Sequence, residues 1–147
     1  MKNQITRSIA IFGLFFMLAI AGVQAQAPSR VEVNIPFDFS AGKAALKAGA
    51  YSVKRMAGNA LAIRSADGKT TALVNAPLTI GSRDSKPGER LIFNKYGNQY
   101  FLSQVWLTVD TGRQLFTSDA EVKAAREYKL ANKQAKPERV EVALHAR

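Results

Sequence analysis

The sequence predicts a mainly β protein: a small antiparallel β-sandwich or barrel of about seven strands, with one C-terminal helix packed on it. Three observations carry this. Short segments of strict apolar–polar alternation recur from residue 31 onward, and Gly-Asn or Asp-Gly dipeptides separate several of them at hairpin spacing. Only after Ser118 does the hydrophobic period lengthen from two to nearly four.

The first 25 residues stand apart from this pattern. MKNQITRS carries Lys2 and Arg7, Ile9 to Val23 is apolar without a charge, and Val23-Gln24-Ala25 places small residues where a signal peptidase reads. Basic, then apolar, then small is the order of a secretory signal peptide. Its apolar run is shorter than the ~20 residues of a spanning helix. We therefore expect residues 1–25 to be removed and no transmembrane segment to follow; an uncleaved anchor is the alternative, and Ala25-Gln26-Ala27 a second cleavage site. Residues 26–147 are expected to form one β-rich domain of a periplasmic or secreted protein. Without Lys2 and Arg7 that domain keeps 19 basic against 11 acidic residues, a formal charge of +8. There is no cysteine, hence no disulfide, lipid-bearing thiol or thiolate metal site, and the core alone must hold the domain together.

VEVNIPFDF (residues 31–39) alternates cleanly, with Val31, Val33, Ile35, Phe37 and Phe39 on one face and Pro36 suggesting a sheet edge. AYSVKRM resumes the alternation after Gly49. Gly58-Asn59 and Asp67-Gly68 then mark turns before ALAIRS and KTTALVNAPLTI, and GSRDSKPGE is a polar loop. LIFNKYGNQYFLSQVWL (residues 91–107) is a hairpin about Gly97-Asn98 with Gly first, as a type II′ turn requires. Counting outward pairs Tyr96 with Gln99, Asn94 with Phe101 and Phe93 with Leu102. One face then carries Leu91, Phe93, Tyr100, Leu102 and Trp106 and is expected to be core. The other carries Ile92, Tyr96, Phe101, Val105 and Leu107 and needs a cover. Ser118 to Glu121 fits a capping box opening a helix over about 119–136. Its stripe of Ala120, Ala124, Tyr128, Ala131 and Ala135 supplies that cover, in preference to an exposed binding platform. Pro137 ends the helix and RVEVAL makes a last strand over about 139–144.

The chemistry on offer is sparse. The single histidine, His145, lies two residues from the end, which leaves no conventional Ser-His-Asp or Cys-His arrangement and no His-rich metal cluster. No P-loop, dinucleotide glycine pattern or G-x-S-x-G is present, and no metal or cofactor is implied. Val109-Asp110-Thr111-Gly112 resembles the catalytic loop of aspartic proteases, where two carboxylates share a proton. Arg113 breaks the usual continuation, and Asp, Thr and Gly are all turn formers, so Asp110 is the candidate only of the alternative function, a carboxylate-dependent hydrolase. Lys95, Tyr96, Tyr100 and Phe101 interleave cations with aromatics as on a single-strand nucleic-acid platform. The ribbon lacks the order of an RNA-binding sheet, however, and core roles are the ordinary use of such residues, so no nucleic-acid partner is expected.

PFDFSAGKAALKAGAYSV, then ERLIFNKYGNQYFLSQVW and GRQL, together resemble a group of small exported β-rich proteins of acidobacteria-like soil bacteria. That group opens with Phe-x-Phe…Gly…Leu-x-Ala-Gly-x-Tyr-x-Val and carries a Tyr-Gly-x-Gln-Tyr-Phe-Leu hairpin. The resemblance spans most of the chain after residue 25 and implies no activity and no catalytic residue. Lys47 stands here where the group has Pro before Ala-Gly. The leading expectation is thus an exported, non-enzymatic binding or envelope-associated domain. Arg126, Lys129, Lys133 and Lys136 make a cationic helix face that would draw an anionic envelope or extracellular polymer.

Overall fold

A computed structural model describes residues 30–81, 88–132 and 136–144. The expected signal segment therefore lies outside the described residues, as do most of the polar loop, Lys133, Ala135 and His145. Among the described residues eleven strands form two sheets, and one helix follows the tenth. Seven strands have five or more residues: β1 (Arg30–Ile35), β4 (Gly49–Arg55), β5 (Ala60–Ser65), β6 (Thr71–Asn75), β8 (Arg90–Tyr96), β9 (Gln99–Trp106) and β11 (Glu138–Ala143). The other four are the short β2 (Phe39–Ala41), β3 (Ala44–Leu46), β7 (Leu78–Gly81) and β10 (Thr111–Gln114). The expected count of about seven finds the long strands. It misses the short ones because three or four residues show too little alternation to stand out.

The first sheet has the order β1-β4-β5-β6, antiparallel throughout. The second has the order β11-β8-β9-β10-β7, with the β2–β3 hairpin joined to β9 by one parallel pair, Ser40 with Phe101. The sheets are open and packed as a sandwich, which decides between the two expected architectures. Alternation explains the layering. Val31, Val33 and Ile35 of β1 meet Val53, Leu61, Ile63 and Val74 of their own sheet across from Leu91, Phe93, Leu102 and Val105 of the other, and all are buried.

The β8–β9 hairpin turns at Gly97, whose φ of +61° only glycine takes at no steric cost, while Asn98 keeps a negative φ. Tyr96 pairs with Gln99, Asn94 with Phe101 and Phe93 with Leu102, as the type II′ turn predicts. The register then breaks, because Ile92 pairs with Gln104 and Ser103 is left over as a bulge. Since side chains alternate, one extra residue exchanges the faces of everything beyond it. Val105 and Leu107, expected on the covered face, join the core. Trp106, expected in the core, turns to the outer face of the second sheet, where it is still only 4% exposed. The Ser103 carbonyl is not wasted: the Leu115 amide donates to it at 2.9 Å and brings Leu115 into the core.

Helix α1 (Asp119–Ala131) starts at Ser118, whose hydroxyl accepts from the Glu121 amide at 3.2 Å, and it carries Asp119 and Glu121 in its first turn. Asn132 leaves helical geometry while its amide donates to the Tyr128 carbonyl, so the helix closes there, short of the expected residue 136. It lies over β8, but fewer of the alanines touch the sheet than the stripe suggests. Ala124 is buried and Tyr128 half-buried, whereas Ala120 and Ala131 are exposed. The deepest helical side chain is Glu121, 4% exposed, whose Oε1 accepts from Asn94 Nδ2 at 2.8 Å and from the Tyr96 hydroxyl at 3.4 Å. Tyr96 meets Phe101 and Tyr128 edge-on, completing the junction. Burial and the neighbouring Glu121 carboxylate both push the Tyr96 hydroxyl above its ordinary pKa.

Candidate functional site

The expected anionic-partner residues divide. Arg126 and Lys129 are exposed on the helix side away from the sheet, close to an i,i+4 contact of Lys123 with Glu127 at 4.0 Å. Lys136 is exposed but lies beyond the helix, between its end and β11, because the helix closes at Asn132. Lys133 is outside the described residues. Of the three described cations, Arg126 and Lys129 lie on the helix and Lys136 lies past its end.

Asp110 is exposed in the turn between β9 and β10. The turn is closed by Thr108, whose Oγ1 donates to the Thr111 carbonyl at 2.9 Å and accepts from the Thr111 amide at 3.2 Å. Gly112 pairs with Trp106 across the strands. Thr111 and Gly112 therefore have structural tasks in the hairpin. Among the described residues no group of three His, Cys, Asp or Glu is placed to hold a metal ion.

The aromatic ribbon residues are engaged with one another. Phe37 stacks on Tyr100 at 3.9 Å between centroids and an interplanar angle of 14°, and also meets Phe93 edge-on. Lys95 bonds Glu138 of β11 at 2.9 Å and stands 5.8 Å from the Tyr100 centroid; the Glu138 carboxylate first, and Tyr100 after it, raise its pKa. Trp106 is flanked by its two cross-strand partners, Arg90 of β8 with its guanidinium 4.5 Å from the ring, and Gly112 of β10. Its Nε1 donates to Gln104 Oε1 at 3.1 Å.

Two grooves open on the surface. One, of about 240 Å3, lies beside the β2–β3 hairpin between Asp38, Ser40 and Lys47 on one side and Asn98, Gln99 and Tyr100 on the other. Asp38 accepts from Lys47 Nζ and from the Ala48 amide, each at 2.8 Å, and both hold its carboxyl below the usual range. The Tyr51 hydroxyl donates to the Lys47 carbonyl at 2.7 Å. The quoted Phe-x-Phe and Leu-x-Ala-Gly-x-Tyr segments are thereby tied to each other and to the Tyr100 hairpin, so the pattern reads as fold-forming.

The other groove, of about 270 Å3, lies on the outer face of the first sheet. Arg30, Glu32 and Asn34 of β1 line it together with Ala50 and Ser52 of β4 and Ala66. Arg30 pairs directly with Lys54, Glu32 with Ser52, and Ser52 with Arg64. No local signal in the sequence marks this group. The alternation of VEVNI already sends Glu32 and Asn34 outward, but Arg30, Lys54 and Arg64 meet only through strand pairing.

Comparison with known proteins gives no match: no family model, no curated protein and no solved structure aligns with this chain.

Proposed function

We propose that this protein is an exported, non-enzymatic binding domain that attaches to anionic polymer at the cell boundary. The observation that carries this reading is the placement of surplus positive charge on two outward surfaces. Arg30 and Arg64 are exposed on the outer face of the first sheet, with Lys54 between them, and Arg126 and Lys129 are exposed on the helix. A charge of +8 stands at the upper end of the ~2–8 in magnitude that already serves the solubility of a small domain. Export is supported by the basic–apolar–small order of residues 1–25. No helix among the described residues is long and apolar enough to cross a membrane, in keeping with attachment through surface charge.

Binding of the purified protein to lipopolysaccharide or acidic extracellular polysaccharide, measured at low and at physiological salt, tests the reading. Affinity should fall steeply as salt rises, because exposed charge pairs are screened beyond about a Debye length. Salt-independent binding, or none, overturns it. The mass of the exported form tests the leader: it should begin at Gln26, and retention of Met1 overturns cleavage.

A further inference from the structure

An open sheet edge presents unpaired backbone amides and carbonyls, and proteins that stay single guard such edges with charge, proline or brevity. Among the described residues, the edge strands other than β6 are guarded in these ways. β1 carries Arg30 and Glu32, and β11 carries Glu138, Arg139 and Glu141. β3 and β7 have three and four residues, and β7 begins just after Pro77. β6 is different. Its five residues, TALVN from Thr71 to Asn75, hold no charge, proline or glycine, and it pairs only with β5. Leu73 at its centre is 71% exposed.

The register fixes which groups of β6 face the open edge. At the two ends of the β5–β6 ladder the Ala76 amide donates to the Asn59 carbonyl and the Ser65 amide to the Thr70 carbonyl, each at 2.9 Å. The ladder between them runs without a bulge, so hydrogen-bonded pairs alternate with unbonded ones. Ala72 and Val74 therefore bond β5, and their side chains are buried in the core. Thr71, Leu73 and Asn75 turn their amides and carbonyls to the open edge, and their side chains are exposed on the outer face.

These three residues are complementary to themselves. Two copies laid antiparallel about a two-fold axis at Leu73 put Leu73 opposite Leu73, and each Thr71 opposite Asn75 of the second copy. All three pairs are of the hydrogen-bonded kind and exchange two bonds each, about six in all. No like charges meet, because β6 has none and Lys69, the nearest along the chain, falls opposite Pro77. A foreign peptide strand would be selected by pockets for its alternate side chains, and neither groove described above is lined by a β6 residue.

We propose that β6 is the contact of a homodimer, in which two copies of this chain pair antiparallel through Thr71 to Asn75 and continue the first sheet across both. Five residues a side fall well below the ~20–30 of a standard interface, so the dimer is weak and reversible. Two net-positive copies repel each other less as salt screens them, so the dimer tightens with salt, opposite to the binding of an anionic polymer.

Sedimentation equilibrium of the purified protein, up to about 1 mM, is the experiment. The parent should show a monomer–dimer equilibrium that tightens as salt rises. Leu73→Lys sets two ammonium groups face to face on the axis and should weaken it about tenfold or more. In dilute solution this variant should unfold at the parent's urea midpoint, since Leu73 lies outside the core. The chain has no cysteine, so Leu73→Cys supplies a single thiol. Under copper-phenanthroline oxidation it should form a disulfide dimer about tenfold faster than Leu130→Cys, whose helical site is 83% exposed. A parent that stays monomeric throughout, an association that Leu73→Lys leaves unchanged, or equal oxidation of the two cysteine variants overturns the edge dimer.

Discussion

The α-carbon of Gly112 lies against the indole of Trp106: a β-carbon built there would stand 2.5 Å from Cδ2 and 2.6 Å from Cε2 of the ring. These two residues are cross-strand partners on β10 and β9, so the contact is part of the sheet itself. An aromatic ring packed over a glycine on the neighbouring strand covers backbone that would otherwise face solvent. This gives the glycine of the Asp-Thr-Gly triplet a role that owes nothing to catalysis. Gly112→Ala should therefore destabilise the protein by about 1–3 kcal/mol, as overpacking of a filled site does. Asp110→Ala, in the exposed turn two residues away, should stay within about 0.5 kcal/mol. Urea unfolding followed by Trp106 fluorescence separates the two, and equal effects would contradict the packing account.

The Ser103 bulge sets which side chains of β9 face the core. Deleting Ser103 would return the hairpin to unbroken alternation, swing Val105 and Leu107 outward and force Trp106 into the sandwich. Emptying one aliphatic core site costs ~2–5 kcal/mol, and this deletion vacates two. Loss of the cooperative transition in the deletion variant is the expected outcome. Ser103→Ala should be tolerated within about 1 kcal/mol, because the bulge acts through its backbone carbonyl, which accepts from Leu115. A cooperative, stable deletion variant would show that the register can slip without cost.

The helix prediction follows from burial. Ala124→Glu would put a second carboxylate into the junction beside Glu121 and should cost about 2 kcal/mol or more. Ala131→Glu and Lys129→Glu, both at exposed positions, should each stay within about 0.5 kcal/mol. Glu121→Ala should cost about 1.5–3 kcal/mol, the range for a hydrogen bond to a charged group, since Asn94 and Tyr96 lose their acceptor. Chemical denaturation midpoints check all four. Equal tolerance of Ala124→Glu and Ala131→Glu would mean that the helix does not dock.

What was legible in the sequence had a local cause. Gly97-Asn98 fixes the turn, and with it the pairing out to Phe93 and Leu102. Ser118 to Glu121 fixes the start of the helix. The bulge was illegible because nothing about Ser103 distinguishes it from a paired strand residue; its neighbours decide where the ladder slips. In the sequence Glu121 shows only as a capping acid, because the partners that let a carboxylate be buried, Asn94 and Tyr96, lie 27 and 25 residues earlier in the chain. The groove of the first sheet was hidden for the same reason: Arg30, Lys54 and Arg64 look like scattered surface charges until β4 pairs with both β1 and β5.

The acid limb of stability should report the Asp38–Lys47 contact. Lys47 Nζ, then the Ala48 amide, lower the Asp38 pKa beneath its ordinary 3.8. A carboxyl whose folded pKa is depressed contributes stability that is present above the unfolded value and is lost as pH falls through the folded one. The gap between the parent and Asp38→Asn should therefore be open at neutral pH and close progressively below about pH 4. Lys47 changes with the opposite sign. Its pKa is raised by the same partner, so its share persists below the ordinary lysine value and is lost only in strong alkali, as pH rises through the folded pKa. The ion pair is well exposed, so salt should weaken its contribution. The bond from Asp38 to the Ala48 amide does not need Lys47, so Lys47→Met should leave part of the acid dependence in place. Urea midpoints of the parent and the two variants across the acid range settle the matter. A gap between parent and Asp38→Asn that stays constant from neutral pH into the acid range would mean that the Asp38 charge does not fasten this corner.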